Sequence, residues 1–102
     1  MPAAPEASWT FLTNHAHVLL AISAESQIRI RDIATQVGIT ERAAHRIVAD
    51  LEIAGYLKVS KIGRRNEYLV VRNLPLRHPA ERHHRIGELL KVLAHDPKKN
   101  FE

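Results

Sequence analysis

The stretch Ile39–Gly55, ITERAAHRIVADLEIAG, constrains this chain more than any other. Thr40 is suited to cap a helix, since its hydroxyl can accept an amide hydrogen that a helix start leaves unpaired, and Gly55 is a natural left-handed stop. Roughly four turns fit between them. Ala44, Ile47, Val48 and Leu51 fall at i, i+3, i+4 and i+7 and form one apolar stripe, so Arg42, His45, Arg46 and Ala49 are expected on the opposite face. Two guanidiniums, an imidazole and a small residue on the outer face of the early turns suit entry into a DNA major groove. A solvated amphipathic helix would carry charge on the same face, so the neighbouring residues must decide.

Before this stretch, Ile33, Ala34 and Val37 mark the core side of a shorter helix from about Arg31 to Val37, which Gly38 ends. Two helices with a short glycine turn between them make a helix-turn-helix. Ile28-Arg29-Ile30 alternates as a very short strand would. Further upstream, Thr13 or Asn14 caps a helix to about Ala24. Val18, Leu19, Leu20, Ala21 and Ile22 leave it apolar on every side, which implies burial on more than one face. After Gly55, Tyr56–Ile62 alternates as a half-exposed strand, Gly63-Arg64-Arg65-Asn66 has turn chemistry, and Glu67–Val71 is a second strand. The result is a hairpin with two arginines at its tip. Pro75 and Pro79 interrupt the chain, and a last helix is expected from Pro79 or Ala80 to about Ala94, with Ile86, Leu89, Leu90 and Leu93 as its apolar stripe.

With 102 residues the chain is expected to hold one domain, too small for a multi-step enzyme. Its net charge of +4 favours a polyanionic partner. Lys58, Lys61, Arg64 and Arg65 lie close together with no acid among them, which makes the hairpin locally basic. Without cysteine there are no disulfides or thiolate metal sites. No apolar run approaches the ~18 residues of a membrane span, and MPAAPEAS lacks the features of a secretion signal, so a cytoplasmic location without membrane contact is expected. Few aromatic residues argue against base stacking on single-stranded RNA.

This order of helices and hairpin resembles a winged helix-turn-helix domain of the bacterial MarR and ArsR type. The resemblance covers about residues 14–71 and is carried by ITERAAHRIVADLEIAGYLKVSKIGRRNEYLVV, with its recognition helix, Leu-Glu-x-x-Gly-Tyr ending and basic wing. The fold implied is mainly α with a small β-hairpin wing, followed by a C-terminal dimerisation helix. Residues 1–7 would be a disordered arm, 8–75 the DNA-binding domain, 76–95 the dimerisation helix and 96–102 a frayed tail.

The resemblance implies that Thr40, Arg42, Ala43, His45 and Arg46 face the major groove. It places the wing residues Lys61, Arg64, Arg65 and Asn66 on the backbone or in the minor groove. Trp9 and Phe11, so much apolar area near a terminus, join Leu19, Ile86, Leu89, Leu90 and Leu93 in an expected homodimer interface, with docking of that apolar area on the chain's own core, and of the last helix on its own first helix, as the alternative. The expected function is a sequence-specific, double-stranded DNA-binding transcriptional regulator, not an enzyme. A low-specificity nucleoid-type protein and a winged-helix protein-interaction module stand as alternatives. No cofactor is implied. The i+4 pair His84 and Glu88 has metal-ligand spacing but needs two more ligands, whereas His15 and His17 diverge on a helix, so no metal site is assigned. The operator, regulated genes, sign of regulation and any effector ligand are not legible in the residues.

Overall fold

A computed structural model describes residues 8–94, so the expected N-terminal arm and C-terminal tail lie outside the described residues. The element order is α1 (Asn14–Ala24), α2 (Ile30–Val37), α3 (Glu41–Ile53), β1 (Leu57–Ile62), β2 (Arg65–Val70) and α4 (Ile86–Leu93). Three helices pack on one another, and the antiparallel hairpin leans on α3 through β1 and on α1 through β2.

Each helix end follows from local chemistry. Thr40 Oγ1 accepts the Ala43 amide at 3.1 Å and so opens α3. At the other end the Tyr56 amide donates to Leu51 O (2.9 Å) and the Gly55 amide to Glu52 O (3.0 Å), with Gly55 at φ 92. That pair of bonds is a Schellman ending, and it turns the chain directly into β1. Gly38, at φ 85, closes α2 in a similar way, with the Ile39 amide on Ala34 O.

The core gathers Val18 and Ile22 from α1, Ile33 from α2, the stripe Ala44, Ile47, Val48 and Leu51 from α3, Leu57 and Tyr68 from the hairpin, and Ile86 and Leu90 from α4. Among the described residues it contains no charged side chain, and its only polar side-chain groups are tyrosine hydroxyls such as that of Tyr68. The apolar character of α1 is satisfied largely inside the chain, since Val18, Leu19, Ala21 and Ile22 are all buried and Leu20 is half-buried.

Two expectations about secondary structure are corrected. Ile28–Ile30 forms no strand: Ile30 begins α2, because it continues the helical stripe of Ile33, Ala34 and Val37, and a period of two over three residues is too short to compete. One trace of sheet pairing remains, a 2.9 Å bond from the Tyr68 amide to Ser26 O beside β2. The last helix starts at Ile86, six or seven residues later than expected. Residues 77–84 are turns instead, because Arg77-His78-Pro79-Ala80-Glu81-Arg82-His83-His84 offers no apolar stripe to bury and an isolated short helix is marginal in water.

The late start is enforced by backbone pairing. The Ile86 amide donates to Leu74 O (2.8 Å) and the Gly87 amide to Arg72 O (2.9 Å), so residues of the incoming chain satisfy the first unpaired amides of α4. The approach is close enough that a Cβ on Gly87 would lie 2.8 Å from both Arg72 Cβ and Arg72 O. Gly87→Ala is therefore expected to destabilise the fold by about 1–3 kcal/mol, the usual cost of overpacking, although alanine is the better helix former. Thermal unfolding would check this, and a variant as stable as the parent would mean that α4 can move off Arg72.

Candidate nucleic-acid interface

The apolar stripe of α3 is buried, and helical pitch therefore turns Arg42, His45, Arg46 and Ala49 outward, where all four are exposed. Among the described residues Arg42, His45 and Arg46 have no hydrogen-bond or ionic partner in the chain, so their donors are uncommitted. The outward cations all sit in the first two turns. Towards the other end the face changes to Asp50, Glu52 and Ile53, the last 85% exposed. Asp50 is held by His15 Nε2 at 2.9 Å, a solvent-facing tie between α1 and α3 that contributes little energy. Thr40 serves as the cap. Ala43 is half-buried beside it rather than fully presented on the groove side.

The wing is tighter than the sequence implies. Ile62 pairs with Arg65, which leaves only Gly63 and Arg64 in the turn. Gly63 has φ 63, while no described non-glycine residue has positive φ, and this is the sign pattern of a type II′ hairpin turn. A side chain at position 63 would be strained. Arg64 therefore stands alone at the tip, exposed, and Lys61 is exposed beside it.

Arg65 is not a tip residue, which corrects the doubly arginine tip. It is the first residue of β2, half-buried, and its Nε donates to Gln27 O at 3.2 Å. Asn66 is also half-buried and donates to Tyr68 Oη at 3.2 Å. The Arg65 bond holds the wing against the segment that precedes α2, whereas the Asn66 bond stays within β2. That segment brings in a residue the sequence did not single out, Arg29. It is exposed and lines an open groove with Lys61, Arg64 and Arg65. The bond between Tyr68 and Ser26 puts Arg29 there, and no local pattern announces a pairing across some forty residues.

The residues expected at a dimer interface separate into two groups. Leu19, Ile86 and Leu90 are buried in the chain's own core, and Leu89 is half-buried, so they are not free surface. Leu93 is 40% exposed. Trp9 and Phe11 are 66% and 91% exposed and pack edge to face on each other, with ring centroids 5.0 Å apart.

Several of the histidines are hydrogen-bonded within the chain. His84 Nδ1 meets Glu88 Oε1 at 2.9 Å, and the same carboxylate oxygen accepts the Arg85 amide at 2.8 Å, closing the start of α4. The Arg85 amide first, and His84 second, hold the Glu88 carboxyl below its ordinary value. His15 pairs with Asp50, and His17 lies 3.0 Å from Asn14 Oδ1. Among the described residues no three His, Asp or Glu side chains come together as a metal site.

No described helix is long and apolar enough to cross a membrane. No curated protein and no solved structure matches the chain. Residues 13–58 do match the family model described as winged helix-turn-helix DNA-binding, a description that does not single out the MarR or ArsR type. The matched span runs from the cap of α1 to the second residue of β1, and the rest of the hairpin completes the winged-helix fold.

Proposed function

We propose that this protein is a non-catalytic transcriptional regulator of the MarR/ArsR type that binds double-stranded DNA sequence-specifically as a homodimer. In this reading α3 enters the major groove, the wing lies on the backbone or in the minor groove, and the protein works in the cytoplasm. The observation that carries it is the uncommitted Arg42, His45 and Arg46 face on a helix whose cap and buried stripe hold it rigidly, within the span that matches a DNA-binding family. Arginine forks make paired bonds to guanine, and phosphate contacts from Lys61, Arg64 and Arg29 would set the register. Selection from random duplexes, sequenced after binding, tests this. An enriched inverted repeat supports a specific dimer, whereas no enrichment despite binding supports the nucleoid-type alternative. Absence of duplex binding would favour a protein-binding module, for which exposed Ile53 is the nearest feature.

The wing separates into two expected behaviours. Lys61→Ala with Arg64→Ala should weaken binding to every duplex and lower the slope of log affinity against log salt by about 0.9 for each phosphate that is no longer neutralised, with the fold unchanged. Arg65→Ala should also loosen the wing, because it removes the bond to Gln27 O. Titrations at several salt concentrations, alongside hydrogen exchange of the hairpin amides, distinguish the two.

The dimer is supported by the exposed apolar residues Trp9, Phe11, Val92 and Leu93. A soluble monomer gains nothing by presenting its only tryptophan to water. Phe11→Asp or Val92→Asp should lower the molecular mass seen in sedimentation without unfolding the chain.

A further inference from the structure

The turns between the hairpin and α4 carry a second concentration of positive charge that the α3 and wing surface does not use. Residues 77–85, Arg-His-Pro-Ala-Glu-Arg-His-His-Arg, are all exposed and contain three arginines against one acid, with three histidines between them. The loop is ordered by its own backbone. The Leu76 amide donates to His84 O (2.9 Å), the Glu81 amide to His78 O (2.8 Å) and the His84 amide to Glu81 O (2.9 Å), while Pro75 and Arg85 form a bridge at its neck. Arg85 is partly engaged, since its guanidinium donates to Asn73 O, but Arg77 and Arg82 have no hydrogen-bond or ionic partner among the described residues. Because the loop backbone is already ordered, meeting a phosphate costs the freedom of the arginine side chains but not that of the loop.

The loop is fastened at the junction of α3 and β1. Tyr56 Oη donates to Pro75 O, the Val71 amide donates to Tyr56 O, and Leu74 lies over Gly55. From that junction the wing tip is the length of a six-residue strand away, about 20 Å at strand rise, and Arg42 is about 20 Å back along α3 at helical rise. Between the cationic start of α3 and the loop, the exposed face of that helix presents Asp50, Glu52 and Ile53. A DNA backbone running along α3 would cross an acidic and apolar stretch before reaching Arg77 and Arg82. That acidic and apolar stretch sets the loop apart from the cationic start of α3.

We propose that the 77–85 loop is a second DNA-backbone site that holds a separate duplex segment, so that one chain bridges two. This rests on the DNA-binding reading of α3 and the wing. The full chain is mixed with an immobilised duplex and a second duplex carrying a fluorophore, and capture of the second is measured beside affinity for the first. Wild type should capture the labelled duplex. Arg77→Ala with Arg82→Ala should reduce capture about tenfold while leaving single-duplex affinity within about twofold, because only the phosphates of the second segment go without their cations. Unchanged thermal unfolding is expected of this variant, since both side chains are exposed.

Undiminished capture by the variant would overturn the proposal and assign bridging to a dimer with two recognition surfaces. Capture and single-duplex affinity falling in parallel would also overturn it, placing both patches on one duplex. Wild type that binds one duplex but captures no second sinks the bridge alone. Wild type that binds no duplex sinks the DNA-binding reading with it.

Discussion

Leu90→Asp is expected to abolish the cooperatively folded state rather than to dissociate a dimer. Leu90 is 1% exposed and sits on α4 against α1. Truncation of a buried leucine alone costs about 2–5 kcal/mol, and an unpaired carboxylate in the same place adds its desolvation. No buried cationic side chain is present among the described residues to pair with it. Against a total stability of about 5–15 kcal/mol for a domain of ordinary size, the sum leaves little folded population at neutral pH. Far-ultraviolet circular dichroism and thermal unfolding would show it, and Leu90→Ala, expected to fold with a lowered midpoint, provides the graded version. A Leu90→Asp protein that retained a sharp unfolding transition but halved in mass would return Leu90 to the interface between copies. The contrast with Val92→Asp is direct, because Val92 is 79% exposed on the same helix.

Arg42→Ala and Arg46→Ala are each expected to cost roughly 1–3 kcal/mol at a cognate site, or about five- to 150-fold in affinity, and much less on random duplex. Neither side chain supports the fold, since both are exposed and without partners among the described residues. Weaker binding would therefore report on the DNA and not on folding. A guanine deprived of its arginine relaxes the preference at one position of the site, which sequencing of selected duplexes would reveal. Equal effects on cognate and random DNA would mean that these arginines anchor phosphates, and specificity would then have to come from elsewhere. Because the two residues are four apart on one helical face, their double variant need not be additive.

The organising helix was legible in the chain itself. Thr40, the stripe Ala44, Ile47, Val48 and Leu51, and Gly55 are local signals separated by fixed helical steps, and the cap, the buried face and the left-handed stop all appear where those steps put them. The hairpin was legible for the same reason, through alternation and a glycine turn. Its tip was not, because Gly63-Arg64-Arg65-Asn66 is compatible with several turn lengths. Register, set by the pairing of Ile62 with Arg65, removed Arg65 and Asn66 from the turn.

Ile86, Leu89, Leu90 and Leu93 showed that α4 has an apolar side, but an apolar stripe does not name what covers it. Local periodicity determined which residues form helices and strands and which faces must leave water, since those are matters of pitch and transfer free energy along a short stretch. Tertiary structure alone decided that α1 covers Leu90, that Arg29 lies beside the wing, and that residues 77–84 stay out of the last helix. Those outcomes depend on pairings between residues far apart in the chain, such as Tyr68 with Ser26 and Gly87 with Arg72, whose closeness is a property of the packed core and not of any local pattern.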